Sequence, residues 1–375
     1  MILNLYNTMT GNPFKLNYWL TPLALVYGAG VRLRNQLFNW GALPSEEFAV
    51  PVISVGNLAA GGTGKTPHVE YLIRLLKDRY KVAVLSRGYK RETKGYVLAG
   101  RESSCQDIGD EPFQIKRKFP GILVAVDSDR RRGIRTLTAL PEGERPDVIL
   151  LDDAFQHRYV TPSLSIVLTD YNRFLYRDKL LPAGRLREPA AGIRRADVVI
   201  VSKCPEGLKP IDYRIAADEM GLLAHQEIYF TYITYGHPEP LFADGGQAPG
   251  KRPIQEADEV LLLAGIAAPE RFVEEVKRQA ARVTPMLYPD HHQYTRQDIR
   301  KINEAFGRMQ PADKYILTTE KDAVRLLENP ALPDEWKGAL YYLPIAVEFR
   351  AENGLPFDKR VLNHIVTIQR NGILR

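Results

Sequence analysis

Short runs of apolar and β-branched residues alternate with helix-like patterns through most of the chain from Pro51 onward. The runs are nearly continuous, which is typical of parallel strands that are covered on both faces. Six of them begin at Val52, Lys81, Gly121, Asp147, Ser165 and Asp197. Between the first two runs, residues 66–78 carry apolar side chains at helical spacing, which predicts a connecting helix. The pattern therefore predicts an α/β fold with a mainly parallel sheet.

A second set of apolar runs follows a stretch that is rich in glycine and proline. That stretch, GHPEPLFADGGQAPGKRP, predicts a linker or β-ribbon at residues 236–257. Beyond it, runs that begin at Val260, Tyr315 and Leu340 alternate with helical patterns around 269–282 and 295–308. We therefore predict a larger α/β unit at residues 41–235 and a second, smaller α/β unit at 258–375.

An almost uncharged run, YWLTPLALVYGAGV, lies near the start of the chain. It is too short to cross a bilayer, because a spanning helix needs roughly 20 apolar residues. Arg32 and Arg34 follow it directly, where a signal peptide would have a cleavage site with small residues. Apolar side chains recur at helical spacing at Trp19, Leu20, Leu23, Tyr27 and Val31. Residues 1–40 are therefore predicted to form a membrane-associating helical segment, with a helix buried by packing as the alternative.

Composition narrows the classes of protein that fit. With 375 residues, 45% hydrophobic and 26% charged, the chain is not disordered, collagen-like or a polytopic membrane protein. Its two cysteines, Cys105 and Cys204, support neither a disulfide framework nor a Cys-based zinc site. The formal net charge of +6 favours anionic partners such as phosphates or anionic lipid. The basic clusters lack the long tail or interleaved aromatic residues of RNA-binding proteins, so we predict no nucleic-acid partner.

The segment AAGGTGKT, residues 59–66, fits the Walker A pattern and lies between a predicted strand and a predicted helix. Its glycines let backbone N–H groups surround a phosphate, Lys65 can reach the β and γ oxygens, and the Thr66 hydroxyl can bind Mg²⁺. The residues predicted to bind the nucleotide here are Ala60, Gly61, Gly62, Thr63, Gly64, Lys65 and Thr66. The segment indicates a P-loop NTPase-type domain, and a glycine-rich turn without function is the alternative.

A Walker B strand should end in an acidic residue, and VILLDD supplies Asp152 and Asp153. One or both carboxylates would hold Mg²⁺, because two unpaired carboxylates at the end of a buried strand are unfavourable without a cation. Either could instead cap the following turn. Together with the Walker A segment, this pair indicates a nucleoside triphosphatase or a kinase.

The nucleotide and the acceptor have weaker signals. Neither residues 202–205 nor residues 319–322 have the spacing of a guanine-reading Asn-Lys-x-Asp motif, so ATP is preferred. A kinase also needs a carboxylate that accepts the proton of the acceptor hydroxyl. The candidates are the turn at Asp110 and Glu111 and the cluster of Asp290, His291 and His292. A zinc site and a surface histidine pair are the alternatives for that cluster.

Several further strings resemble the tetraacyldisaccharide 4'-kinase family, the lipid A 4'-kinases of Gram-negative bacteria. The resemblance spans most of the chain. A Walker A element alone indicates only a P-loop protein, whereas these strings in this order are specific to far fewer proteins. The matching strings are VGNLAAGGTGKTP from Val55, SRGY from Ser86, GDEP from Gly109, DSDR from Asp127, LDDAFQHR from Leu151, LPAGRLRE from Leu181, AGIAAPERF from Ala264, DHHQYT from Asp290 and TEKDA from Thr319.

The resemblance implies an enzyme that transfers the γ-phosphate of ATP to the 4'-hydroxyl of a tetraacyl glucosamine disaccharide 1-phosphate in lipid A biosynthesis. It implies ATP and Mg²⁺ as cofactors and a peripheral or monotopic position on the cytoplasmic face of the inner membrane. The lipid substrate is the implied partner, and no obligate protein partner is expected.

The resemblance also implies roles for individual residues. Lys65 matches the P-loop lysine, and Asp110 matches the carboxylate assigned as the base, which His291 would support. Arg130 would contact phosphate. Metal and nucleotide would be organised by Thr66, Asp152, Asp153, Gln156 and Glu188, and Glu111 would lie close to the acceptor. Because Asp110 and His291 fall on opposite sides of the predicted linker, we expect them to pair only when the two units close.

Two other functions fit the nucleotide motifs. A cytosolic small-molecule P-loop kinase would use the same ATP site without needing lipid or detergent. A regulatory ATPase would hydrolyse ATP without any phosphate acceptor, and Asp110 would then be dispensable.

Overall fold

The computed structural model describes residues 16–373 except 206, 243–252, 257, 291, 310–313 and 351–355. Its strands are β1 Val52–Asn57, β2 Val82–Ser86, β3 Val97–Leu98, β4 Leu123–Val126, β5 Val148–Asp152, β6 Leu164–Asp170, β7 Val198–Ser202, β8 Glu227–Tyr235, β9 Glu239–Pro240, β10 Glu259–Ala264, β11 Arg282–Leu287, β12 Lys314–Thr319, β13 Leu340–Leu343 and β14 Ile345–Phe349.

The α-helices are α1 Thr21–Asn39, α2 Lys65–Leu76, α3 Cys105–Ile108, α4 Asp110–Lys118, α5 Arg130–Thr138, α6 Pro210–Met220, α7 Glu270–Gln279, α8 Arg296–Gly307, α9 Glu320–Leu327 and α10 Phe357–Ile373. Short 3₁₀ helices lie at Tyr18–Leu20, Leu175–Arg177, Ala190–Arg195 and Asp334–Gly338.

The strands form two sheets. Among the described residues, the larger has nine strands in the order β14-β8-β7-β6-β1-β5-β2-β4-β3, and its pairs from β8 to β4 are all parallel. The smaller has five strands in the order β11-β10-β12-β13-β9, with an antiparallel edge strand β9. The predicted α/β class, with a large parallel sheet, is confirmed.

Strand β1 lies at the centre of the larger sheet, between β5 and β6. Its six residues are all buried, as are the five of β5, which explains the Val, Ile and Leu side chains that predominate in β5 and begin β1. In the parallel register Val55 is opposite Asp152, so the strand that precedes the glycine-rich segment ends beside the acidic pair. Topology alone therefore brings the two nucleotide motifs together.

The larger sheet is covered on both faces. One face packs against the apolar side of α2, including Val69, Leu72 and Ile73, and against the C-terminal helix α10. The other face packs against Ile134 and Leu137 of α5. Each fully buried Leu or Ile side chain stabilises the fold by roughly 1.5–3 kcal/mol.

The apolar run from Leu340 to Phe349 forms two strands in different sheets. Pro344 separates them, so that β13 joins the smaller sheet and β14 pairs antiparallel with β8 at the edge of the larger one. Residues 258–375, predicted as one smaller unit, therefore contribute β14 and α10 to the larger unit. Apolar periodicity could not show this, because it predicts a strand but not the sheet edge that the strand joins. The predicted ribbon at 236–257 contributes β9, and its residues 243–252 lie outside the described residues.

Helix α1 contains most of the predicted N-terminal apolar run. Ala24, Gly28 and Phe38 are buried against the protein, and a Cβ at Gly28 would lie 2.6 Å from Leu180 Cδ1. The apolar side chains that face outward are Trp19, Leu23, Leu25, Val26, Leu33 and Trp40, each with more than half of its surface exposed. Within the described residues, no helix is both long and apolar enough to span a bilayer.

Candidate active site

A cleft with a volume of about 2380 Å³ lies where the parallel strands of the larger sheet end. Residues 61–67 after β1, Asp153 after β5 and Lys203 after β7 line it, and so do residues of the smaller unit, such as Arg271 and Lys321. In open α/β sheets, ligands bind outside the carboxyl ends of the strands. The cleft is therefore the expected binding site of this fold.

The glycine-rich segment forms the loop between β1 and α2. Gly61 and Gly64 have φ values of 108° and 83°, which lie in the left-handed region that favours glycine. Asn57 Nδ2, at the end of β1, donates a hydrogen bond to Thr63 Oγ1 at 2.7 Å. Because α2 begins directly at Lys65, the loop ends at a helix N-terminus, which attracts anions.

His68 supports this loop from inside the protein. Its Nδ1 lies 2.7 Å from the Gly64 carbonyl oxygen, and its Nε2 lies 3.0 Å from Thr231 Oγ1 on β8. Burial lowers the pKa of His68 to about 4, so the ring is neutral at physiological pH. Since a carbonyl only accepts hydrogen bonds, Nδ1 carries the hydrogen and Nε2 accepts from the Thr231 hydroxyl.

Two residues at the end of β7, the last residue of the strand and the one that follows it, hold the carbonyl groups of the loop. Lys203 Nζ donates a hydrogen bond to the Gly62 carbonyl, and Ser202 Oγ donates to the Thr63 carbonyl at 2.8 Å. Because these carbonyls accept hydrogen bonds from the protein, the loop keeps a fixed shape before any nucleotide binds. A preformed loop lowers the entropic cost of binding.

The string LPAGRLRE runs alongside the same loop. Ala60 N donates a hydrogen bond to the Arg185 carbonyl at 2.7 Å, and Arg187 N donates to the Leu58 carbonyl at 2.8 Å. These bonds place the side chains of Arg187 and Glu188 next to the phosphate loop, which gives a structural reason for this string in the sequence.

Asp153 is paired with two cations. Lys65 Nζ lies 3.5 Å from its Oδ1, and Arg187 NH1 lies 2.9 Å and 3.0 Å from its two oxygens. Although burial alone would raise the pKa of Asp153, Lys65 and Arg187 together lower it below its ordinary value. Asp153 is therefore ionised, and it holds Lys65 beside the loop.

Asp152 has a different environment from its neighbour. It is buried, its Oδ2 accepts a hydrogen bond from Ser86 Oγ at 3.4 Å, and its Oδ1 has no hydrogen-bond partner within the described residues. Burial, followed by the charges of Glu111 and Asp153, raises the pKa of Asp152 to about 7. A buried carboxylate oxygen without a partner fits a bound cation, which would satisfy the oxygen and favour its ionised form.

The residues near Asp152 fit Mg²⁺ bound together with a nucleotide. Within the described part of the chain, no three His, Cys, Asp or Glu side chains form a cluster that could hold a metal. Mg²⁺ in nucleotide sites usually takes one or two carboxylates and fills its remaining positions with phosphate oxygens and water. Asp152 and Thr66, which lines the cleft, match that smaller requirement.

Glu188 is buried in a network of hydrogen bonds. Gln156 Nε2 donates to its Oε1 at 2.9 Å and also to the Asn57 carbonyl at 2.8 Å. Asn35 Nδ2 on α1 donates to its Oε2 at 3.2 Å, and Arg195 forms a salt bridge at 2.9 Å. The network joins the N-terminal helix to the strand that carries the phosphate loop. The role of Glu188 as a metal ligand stays a prediction.

Arg130 begins α5 with a buried side chain that lines the cleft. It donates hydrogen bonds to the carbonyls of Asp127 at 2.6 Å and Asp152 at 3.3 Å, and its Nε has no partner within the described residues. Burial lowers the pKa of Arg130 to about 10, which leaves it protonated at neutral pH. A buried, charged donor of this kind is suited to an anion such as phosphate.

Asp110 begins α4 and contacts the smaller unit. Arg325 of α9 donates a hydrogen bond from Nε to Asp110 Oδ2 at 2.8 Å. Glu111, the next residue, lines the cleft. His291, the predicted partner of Asp110, lies outside the described residues, so their pairing and the closure of the two units stay predictions.

Several side chains that hold the site together were not found by sequence reasoning. Arg187, Lys203 and Arg325 each contact a predicted site residue or the loop itself. Arg187 lies in the string LPAGRLRE, and Arg325 is a charged residue between apolar neighbours on a short helix, which is a usable signal. Lys203 has no such signal, because its contact depends on where β7 lies in the sheet.

Comparisons with known proteins agree with this geometry. A family model described as tetraacyldisaccharide-1-P 4'-kinase matches residues 16–365. A tetraacyldisaccharide 4'-kinase of Parabacteroides distasonis is 55% identical over 98% of this chain and 100% of its own length. One from Phocaeicola vulgatus is 47% identical over 97% of this chain and 99% of its length. The crystal structure of LpxK from Aquifex aeolicus in complex with ATP has a TM-score of 0.70 and 29% identity, and the match covers 94% of this chain and 98% of that one.

Proposed function

Since the chain belongs to the tetraacyldisaccharide-1-P 4'-kinase family, we propose that it transfers the γ-phosphate of ATP to the 4'-hydroxyl of a tetraacyl glucosamine disaccharide 1-phosphate. This makes it a phosphotransferase with an alcohol group as acceptor, acting in lipid A biosynthesis. The observation that carries the proposal is the shared cleft. The phosphate loop, Arg130 and Glu111 all line one space of about 2380 Å³, which exceeds the roughly 300–1,000 Å³ of a single-ligand pocket.

The triphosphate would bind along residues 60–66, where loop N–H groups and the N-terminus of α2 favour negative charge. Lys65 and Arg130 would neutralise charge on the transferred phosphoryl group, which is the main catalytic demand of this reaction. Gln156 would help to organise the nucleotide, since it already links Asn57 to Glu188.

Asp152 and Thr66 would hold Mg²⁺, with Asp153 and Glu188 as the further predicted ligands. When bound, Mg²⁺ would screen the negative charge of the phosphate oxygens. The partnerless Oδ1 of Asp152 supports this assignment, whereas Asp153 is already paired with Lys65 and Arg187.

Asp110 would accept the proton of the 4'-hydroxyl as that oxygen attacks the γ-phosphorus, with His291 supporting the carboxylate. A general base at this position contributes roughly 10²–10⁴-fold to the rate. The position of Asp110 beside Glu111, which lines the cleft, supports the assignment.

The N-terminal helix would hold the enzyme at the cytoplasmic face of the inner membrane as a peripheral or monotopic protein. The outward apolar side chains of α1 support this, since Leu25 and Val26 are 63% and 72% exposed. When the enzyme and its lipid substrate are at the same membrane surface, the substrate can reach the active site while its acyl chains stay out of water.

The experiment uses purified full-length protein with radiolabelled ATP, Mg²⁺ and the tetraacyl disaccharide 1-phosphate in mixed micelles. Label in the lipid is the expected result, and a Lys65→Ala variant serves as the control for the phosphate loop. Release of free phosphate without labelled lipid would instead favour a regulatory ATPase. Transfer to a soluble sugar at equal efficiency would favour a small-molecule kinase.

A further inference from the structure

The string TEKDA from Thr319 has no role in the function described so far, although it lies at the contact between the two units. It forms the start of α9, whose N-cap is Thr319, and Thr319 Oγ1 accepts a hydrogen bond from Asp322 N at 3.1 Å. Helix α9 packs against α4, the helix that begins with Asp110. The string therefore lies where the smaller unit reaches the acceptor side of the active site.

Arg325 connects this helix to Asp110. Its side chain is only 1% exposed, and both Nε and NH2 lie 2.8 Å from Asp110 Oδ2. Two N–H groups of a rigid guanidinium plane thus converge on one carboxylate oxygen, which fixes the position of that oxygen relative to the smaller unit.

Asp322 holds Arg325 in place. Its Oδ1 lies 3.0 Å from Arg325 NH1, and its Oδ2 accepts hydrogen bonds from Gly265 N at 2.8 Å and Thr319 Oγ1 at 2.7 Å. Asp322 is itself fully buried, so both members of this pair are fixed by their surroundings. The chain of contacts runs from the backbone that directly follows β10 through Asp322 and Arg325 to Asp110.

The far end of α4 is held by the same helix. Lys118 forms salt bridges with Glu320 of α9 and with Glu70 of α2, the latter at 2.7 Å. Glu320 also accepts a hydrogen bond from Ile345 N at 3.1 Å. Helix α9 therefore holds α4 at both ends, but only Arg325 makes its contact at the residue proposed to act as the base.

We propose that Arg325 is a positioning residue for the phosphoryl transfer: it orients the Asp110 carboxylate from the smaller unit, 215 residues further along the chain. The inference rests on the proposed role of Asp110 as the base. It assigns the string TEKDAVR a purpose, since Asp322 fixes Arg325, and Arg325 fixes the group that accepts the proton. The reaction consequently depends on contact between the two units as well as on the nucleotide site.

The test compares Arg325→Gln, Arg325→Lys and Asp110→Asn, alone and combined, in the mixed-micelle assay. We expect Arg325→Gln to lower kcat by roughly 10- to 100-fold with little change in KM for ATP, because a small misplacement of a catalytic group costs up to about 100-fold. Arg325→Lys should have a higher kcat than Arg325→Gln, since lysine keeps the positive charge but lacks the planar pair of N–H donors. In the Asp110→Asn background, Arg325→Gln should have no further effect on kcat.

Glu328→Ala is the matched control. Glu328 follows α9 and accepts a hydrogen bond from Cys105 N at 3.1 Å, so its loss weakens the same contact between units without touching Asp110. Its kcat should stay near that of the parent enzyme. ATP binding and thermal melting check that each variant is folded, and Arg325→Lys carries the test if Arg325→Gln does not fold.

Separate outcomes contradict the two proposals. Normal turnover by Asp110→Asn would overturn the role of Asp110 and the inference with it. A slow Asp110→Asn with an unimpaired Arg325→Gln would overturn only the inference. Further loss of kcat in the double variant, or an equal loss in Glu328→Ala, would show that Arg325 acts through stability of the interface and would also overturn it.

Discussion

Lys65 Nζ lies 3.5 Å from Asp153 Oδ1, so the P-loop lysine is held by the second residue of the acidic pair. Arg187 binds the same carboxylate at 2.9 Å. The acidic pair is thus divided in its contacts: Asp153 is neutralised by two cations, whereas Asp152 keeps a buried oxygen without a partner in the described residues. This division separates the positioning of the lysine from the binding of a metal.

Replacing Lys65 should strongly slow transfer with little effect on folding. Lys65→Ala removes one cation from the phosphate site, which we expect to lower kcat by roughly 10²–10³-fold. Asp153 keeps Arg187, so the thermal midpoint should change little. Initial rates of lipid phosphorylation and a melting curve measure the two effects. A variant with near-normal rates would remove the phosphate loop from the mechanism.

Asp152 should make the metal-free protein less stable as pH rises. Its folded pKa of about 7 exceeds its ordinary value of 3.8, so the folded state holds this proton more tightly than the unfolded chain between those values. Binding of this proton makes its full contribution to the free energy of unfolding below about pH 4, and the contribution is lost as pH rises through about 7. In EDTA, the thermal midpoint of the parent minus that of Asp152→Asn should therefore decrease as the pH is raised from 5 to 8.

The same pair of proteins provides the check with metal. Addition of Mg²⁺ with ATP should raise the thermal midpoint of the parent far more than that of Asp152→Asn, because ligands that bind the folded state stabilise it. Equal shifts in both proteins would place the metal elsewhere.

Charge on the outer face of α1 should weaken membrane binding. In Leu23→Asp with Val26→Asp, two exposed apolar side chains are lost, and burial of each in the interface is worth roughly 1.5–3 kcal/mol. We expect at least a tenfold drop in binding to anionic vesicles, measured by sedimentation. Gln36→Glu, an exposed polar site on the same helix, is the control and should bind nearly as the parent does.

Loss of the Asn35 amide should affect the nucleotide site from a distance. Asn35→Ala removes the 3.2 Å hydrogen bond to Glu188, whose partner Gln156 also contacts Asn57 at the start of the phosphate loop. We expect KM for ATP to rise several-fold, by roughly the 0.5–1.5 kcal/mol of one hydrogen bond. The exposed change Gln36→Ala, one position away, should leave KM as it is. An unchanged KM in Asn35→Ala would mean that the network is structural only.

Structural features that depend only on residues close together in the chain could be predicted from the sequence. The Walker A segment lies between β1 and α2, and Asp152 ends β5, so the strand and helix boundaries around both motifs agree with the sequence pattern. The helices predicted around 269–282 and 295–308 are observed as α7 and α8. Local spacing and apolar periodicity are sufficient for features of this kind.

Features that depend on the tertiary arrangement were beyond this reasoning. Pro344 divides one apolar run between two sheets, and no local signal tells which sheet edge each half joins. The predicted apolar stripe of the N-terminal helix is also divided, since Tyr27 and Val31 line the cleft while Trp19 and Leu23 face outward. The contact of Arg325 with Asp110 likewise follows from the packing of α9 on α4 and not from either segment alone.

Helix α1 has an apolar outer surface, and its inner side donates hydrogen bonds to Glu188, the Arg187 carbonyl and the Gln156 carbonyl. An enzyme seated in a leaflet through such a helix explores two dimensions, so its encounter rate would follow the surface density of the glycolipid and not its bulk concentration. The height and tilt of the nucleotide above the headgroups would be set by this one helix. The headgroup composition of the leaflet would then affect turnover through the way this helix is seated.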